Sequence, residues 1–92
     1  MDLKELRAQI DDLDRELIGL LERRMDISAA IAAYKAANGL PTLDRGREAE
    51  KLEDVKALCR PETAEPIAGV FRAVMAGSRA YQTLLREDEH GG

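Results

Sequence analysis

Residues 3–34, "LKELRAQIDDLDRELIGLLERRMDISAAIAAY", decide the fold. Leu3, Leu6, Ile10, Leu13, Leu17, Leu20, Arg24, Ile27, Ile31 and Tyr34 recur in alternating steps of three and four. That spacing makes the seam of one long, coiled-coil-like helix. Asn38-Gly39 in "AANGLP" supplies a C-cap and Pro41 prevents continuation. At 1.5 Å per residue the helix is a rod of roughly 50 Å. A compact monomer of this size has a radius of gyration of about 12 Å, so the rod outreaches it, and a second copy is expected to cover its seam.

The rest of the chain agrees with a helical reading. Aromatic residues make up 3% of the 92 residues and hydrophobic residues 45%, with Leu, Ala, Arg and Glu prominent. Few residues favour sheet, and the fold class is all-α with three helices. The second helix is predicted from about Leu43 or Asp44 to Leu58, turning Leu52, Val55 and Leu58 or Cys59 inward. The third follows "RPETAEP", with Thr63 as N-cap and Pro66 in the first turn. Its inward stripe is Ile67, Val70, Phe71, Val74, Ser78, Tyr81 or Gln82, and Leu85. Residues 1–92 read as one domain with a core over about 3–85, and 86–92 as a polar tail expected to fray.

Charge and composition exclude several functions. Fourteen Lys and Arg against 18 Asp and Glu give a net charge of -4, which disfavours nucleic acid and anionic membranes as partners. The N-terminus lacks an apolar signal core and no run is long enough for a membrane span, so the expected compartment is the cytoplasm. Cys59 has no second cysteine to pair with, and is expected as a small buried apolar residue.

The informative residues are polar ones at positions the pattern reserves for apolar ones. Arg24 sits on the seam, where an unpaired guanidinium is costly to bury. Its counter-charge is either a carboxylate of the chain, Asp44 or Glu48, or an anionic ligand. Lys35 lies close to three full turns further on, on the same face, with Ser28 and Ile31 between. Asp44 and Glu48 are four apart on the second helix, and Ser78 and Gln82 four apart on the third. Together they describe a pocket of cationic, carboxylate, hydroxyl and amide groups without a cysteine or histidine in register. Such a pocket suits positioning and charge stabilisation of a small polyanion better than covalent or metal chemistry. Arg7 is about 25 Å from Arg24 along the rod. It would meet the same ligand only from an antiparallel second chain. Arg15, Glu16, Glu22 and Arg45 are read as solvent-facing charges of little energetic weight.

The spaced set "LRAQIDDLDRELIGLLERR", the lysine of "AAYKAANGLP", "DRGRE" and "SRAYQ" resembles the all-helical class (type II) of chorismate mutases over about residues 3–85. The resemblance implies an intertwined homodimer of three-helix chains with two identical sites, converting chorismate to prephenate by a Claisen rearrangement without cofactor or metal. It implies that Arg24, Arg47 and the Arg7 of the other chain bind the substrate carboxylates, with Ser78 assisting. Lys35 and Gln82 would donate to the ether oxygen as its bond breaks, and Asp44 and Glu48 would bind the hydroxyl region. Lys35, Gln82 and Arg24 are thus the expected catalytic residues. Related folds also serve isochorismate pyruvate lyases and 4-amino-4-deoxychorismate mutases, and members are found fused to other enzymes. Either a free-standing enzyme or an excised domain is expected here. A silent helical dimerisation or regulatory module is the alternative of another class. Burying Arg7, Arg24, Lys35, Arg47, Glu48 and Gln82 would bring a scaffold nothing.

Overall fold

The computed structural model describes residues 1–91, with side chains through Glu87. Three α-helices follow one another: α1 (Leu3–Ala37), α2 (Arg45–Leu58) and α3 (Pro61–Gly91). α3 packs on both α1 and α2, which do not pack on each other. The α1 rod sets the longest dimension of a body measuring 53 × 29 × 14 Å with a radius of gyration of 16.4 Å, well above that of a compact chain.

Local chemistry sets the helix ends. The Asp2 carboxylate caps α1 by accepting from Glu5 N at 2.8 Å. At the other end Leu40 N donates to Lys35 O (2.8 Å) and Gly39 N to Ala36 O (3.4 Å), a Schellman closure with Gly39 at φ +65°. The expected stop at Asn38-Gly39 is therefore the observed one.

α2 starts at Arg45, one residue after the later of the two expected starts, because Asp44 stands outside the helix as its N-cap and accepts from Arg47 N at 3.0 Å. Thr63 does not cap α3. Pro61 already occupies the first helical position, where its missing N–H costs nothing, and the Thr63 hydroxyl donates back to Arg60 O. Pro66 then lies in the second turn, inside the helix, where it withholds a hydrogen bond from the Glu62 carbonyl. The stretch from Arg86 expected as a frayed tail is helical as far as Gly91, while Gly92 and the side chains from Asp88 onward lie outside the described residues.

The core is small: Ala32, Val55, Ala68 and Met75 are its buried apolar residues, and Ser28, Ser78 and Gln82 are buried with them. On α3 the expected Ser78 and Gln82 are buried and Phe71, Val74 and Leu85 half-buried, while the stripe departs from expectation where Ala68 and Met75 are buried and Ile67 and Val70 are exposed. Leu58 also faces outward, and Cys59 is half-buried at the C-cap of α2 rather than in the core. On α1 the apolar seam lies open. Leu3, Leu6, Ile10, Leu13, Leu17 and Leu20 are 45–62% exposed, because the N-terminal half of α1 extends beyond its contact with α3, which lies further along at Ser28 and Ala32.

The Gly39 turn generates a clean test, because a Cβ there would meet nothing within 4 Å and the cost of adding one is backbone alone. Gly39→Ala is expected to lower stability by about 1–2 kcal/mol through the left-handed penalty. Urea denaturation at fixed protein concentration measures it. An unchanged midpoint would mean that the turn does not hold this conformation in solution.

Candidate active site

The polar residues of all three helices converge on one cavity of about 340 Å³ between the C-terminal half of α1, the first turns of α2 and the middle of α3. α1 contributes Arg24, Ser28 and Lys35 to its wall, with Ile27 and Ile31 as the apolar part. The α1–α2 loop and α2 contribute Thr42, Asp44, Arg47, Glu48 and Lys51, and α3 contributes Met75, Ser78, Arg79 and Gln82. Seven of the eight residues singled out by sequence, Arg24, Lys35, Asp44, Arg47, Glu48, Ser78 and Gln82, therefore line the same space. Arg7 does not. It lies on the exposed N-terminal half of α1, far from the cavity of its own chain.

A hydrogen-bonded ladder joins α1 to α3 at the cavity floor. Arg24 Nη1 donates to Ser78 Oγ at 2.6 Å, Ser28 Oγ donates to the same oxygen at 3.1 Å, and Gln82 Nε2 donates to the Ser28 carbonyl at 3.0 Å. Across the cavity Lys35 Nζ donates to the Thr42 carbonyl at 2.8 Å. Arg24, Lys35 and Gln82 each spend one donor on fixing their position and keep others: Arg24 has further guanidinium N–H groups, Lys35 two more protons, and Gln82 one more amide hydrogen. Donors held this way are preorganised, because binding does not have to order them first.

Of the two counter-charges open to Arg24, the carboxylate of the chain is not used: it pairs with neither Asp44 nor Glu48. Glu48 is paired with Arg79 of α3, and the Asp44 carboxylate is turned to its own helix as the cap. Among the described residues Arg24 has no carboxylate within 4 Å, and a serine hydroxyl is its partner. The counter-charge is left for something that enters the cavity.

Sequence reasoning missed Arg79, Thr42 and Lys51. For Arg79 a signal existed: it lies three residues before Gln82 and next to Ser78, on the flank of the inward stripe. Thr42 acts through its carbonyl and carried no signal. Counting the wall, Arg24, Lys35, Arg47, Lys51 and Arg79 set five cations against the two carboxylates Asp44 and Glu48. An acidic chain has thus built a locally cationic cavity, suited to a small anion bearing more than one negative charge. Among the described residues no three His, Cys, Asp or Glu side chains converge as a metal site would require. No helix among them is long and apolar enough to cross a membrane.

The family model for chorismate mutase type II matches residues 6–83. The chain belongs to this family. Among individual relatives, the T-protein of Haemophilus influenzae is 39% identical over 85 residues, covering 87% of this chain and 22% of that protein. The chorismate mutase of Methanocaldococcus jannaschii is 25% identical over 88 residues, covering 94% of this chain and 89% of the other. The 4-amino-4-deoxychorismate mutase of Streptomyces venezuelae is 41% identical over 46 residues, or 50% of this chain and 45% of that protein. The chain thus spans about a fifth of the T-protein and less than half of the Streptomyces enzyme. No solved structure matches it significantly. The chorismate mutase type II assignment accords with the all-α fold and with the cavity's position at the packing of α3 on its neighbours.

An arginine half-buried among other cations is poor for stability, and Ser78 would keep Ser28 as a partner without it. Arg24→Met is therefore expected to melt at or above the wild-type temperature in the absence of ligand. A fall of about 4–8 °C, the equivalent of roughly 1 kcal/mol at this chain length, would make Arg24 a structural residue instead.

Proposed function

We propose that this chain is a chorismate mutase, an isomerase that converts chorismate to prephenate by an intramolecular Claisen rearrangement. One carbon–oxygen bond of the enolpyruvyl ether breaks while a carbon–carbon bond forms, and no atom enters or leaves. The observation that carries the reading is the gathering of Arg24, Lys35, Arg47, Ser78 and Gln82 around one cavity, beside two carboxylates and with no cysteine or histidine in its described wall.

The chemistry asks two things of a catalyst. A flexible dianion must be held in the compact conformer that brings the reacting carbons together, and the negative charge that grows on the ether oxygen must be met by donors already in place. In this reading Arg24 and Arg47 bind the substrate carboxylates with help from Ser78. Lys35 and Gln82 stabilise the ether oxygen with the donors that their protein partners leave free. Glu48, steadied by Arg79, and Asp44 receive the ring hydroxyl. Nothing in this scheme needs a proton to move, a cofactor or a metal.

The active unit in this reading is a homodimer in which antiparallel copies of α1 bury the open leucine seam and each Arg7 reaches the cavity of the other chain. The supporting observations are the uncovered seam and the distance of Arg7 from its own cavity. The physiological role that follows is a step towards phenylalanine and tyrosine in the cytoplasm.

Proton NMR of the purified chain with chorismate, with isochorismate and 4-amino-4-deoxychorismate offered in parallel, tests the reaction. Prephenate from chorismate is expected. By analogy with loss of an oxyanion-hole donor, Lys35→Ala should raise the barrier by at least ~3 kcal/mol, a loss of ~100-fold or more in kcat/KM. Pyruvate from isochorismate, or turnover of the amino compound alone, would replace this reading with a lyase or an aminodeoxychorismate mutase.

Chain mixing tests the shared site. Arg7→Ala and Arg24→Ala should each be inactive, and random exchange between them should restore about a quarter of wild-type activity, since half the dimers then hold one intact site. No recovery after exchange would place each site within a single chain.

A further inference from the structure

Between the Schellman turn and the Asp44 cap the chain crosses from α1 to α2 with little to hold it. Pro41 has no N–H, and the last backbone bond of the turn is that of Leu40 N to Lys35 O. Arg86, one helical turn beyond Gln82 on α3, spans this gap. One of its terminal nitrogens donates to the Leu40 carbonyl, and Nη1 donates to Thr42 Oγ1 at 3.2 Å. Apart from Lys35 itself, Arg86 is the one side chain outside the loop, among the described residues, that hydrogen-bonds residues 40–43.

The residue clamped in this way is the one that receives Lys35. Thr42 is gripped through its hydroxyl by Arg86 and presents its carbonyl to Lys35 Nζ at 2.8 Å. Arg86 does not line the catalytic cavity. It lies on the far side of the loop, against a shallow cleft formed with Leu40, Pro41 and the last alanines of α1. We propose that Arg86 is a positioning residue that fixes the Lys35 ammonium through Thr42. The inference rests on the mutase reading of the cavity, and it assigns a role to a residue that touches neither substrate nor reacting atoms.

The physical argument concerns the freedom of a lysine. An ammonium on a four-carbon stem samples many positions, and a donor has full effect on a growing charge when it is already placed. A carbonyl on an untethered loop would move with the loop and take Lys35 with it. A carbonyl on a residue bonded to α3 instead refers Lys35 to the same helix that carries Ser78 and Gln82. The two donors assigned to the ether oxygen are thereby placed relative to one another. Both acceptors of Arg86 are needed for this, because one bond would leave the loop free to pivot.

The test combines kinetics with amide hydrogen exchange. Arg86→Ala is expected to lower kcat for chorismate roughly 10- to 100-fold, the order expected when a catalytic group is misplaced, with a smaller change in KM. Arg86→Lys, able to reach one acceptor at a time, should fall between the two. The loss should nearly vanish when Arg86→Ala is made in a Lys35→Ala background and persist in an Arg47→Ala background, because residues acting through one another are non-additive. Amide exchange should quicken across residues 40–44 of Arg86→Ala. Equal losses in both backgrounds, a defect confined to KM, or unchanged exchange in the loop would each overturn the proposal. Should the wild-type chain leave chorismate untouched, the mutase reading falls, and the exchange measurement still decides whether Arg86 holds the loop.

Discussion

A half-buried arginine bonded to a serine instead of a carboxylate is the constraint on which this structure turns. Arg24 occupies a position where the seam of α1 wants an apolar side chain, and the α1–α3 packing is built around it. Ser78 accepts from Arg24 and from Ser28, and Gln82 takes the Ser28 carbonyl. The centre of the helix packing is therefore a polar ladder, with the apolar core reduced to Ala32, Val55, Ala68 and Met75 around it. A fold that made stability its first concern would place leucine at these sites. This one gives three of its seven buried positions, Ser28, Ser78 and Gln82, to polar side chains, and every buried polar side-chain atom among the described residues has a partner.

Such an arrangement leaves the single chain short of buried apolar surface while its longest apolar stripe faces solvent. The two facts belong together. The C-terminal half of α1 contacts α3 and carries the site, so the leucine seam of its N-terminal half is left for another surface. In an assembly that covers this seam, hydrophobic burial between chains would offset the cost of the polar centre within each. Stability and site formation would then depend on the same association.

Much of this was legible because it is written in local chemistry. The heptad-like run of α1, its closure at Asn38-Gly39 and the Asp44 carboxylate at the head of α2 are each encoded within a few residues. So are the paired spacings that bring Arg24 to Lys35 and Ser78 to Gln82. What was misread depends on partners distant in sequence. On α3 the expected Ser78 and Gln82 do face inward, but at the start of the stripe close approach of the helices selects the small Ala68 in place of the bulkier Ile67 and Val70. Thr63 had the composition of a cap, but Pro61 can begin a helix two residues earlier. The Glu48–Arg79 pair joins two helices whose relative rotation no spacing rule supplies, which is why the spacing leaves the counter-charge of Arg24 open between a carboxylate of the chain and an anionic ligand.

The same distinction explains how an acidic protein holds a locally cationic cavity. Net charge is a sum over the whole surface, and its field is screened within about 10 Å by salt. What a ligand meets is the local set, five cations against two carboxylates, in a cavity whose walls exclude part of the solvent. Within that set the carboxylates are already engaged, Asp44 with the backbone of its helix and Glu48 with Arg79. Their capacity to neutralise Arg24, Arg47 and Lys35 is thus largely spent before a ligand arrives. In the proposed function a bound polyanion would meet this excess positive charge, and the engagement of Glu48 by Arg79 would favour binding by keeping that carboxylate from Arg24 and Arg47.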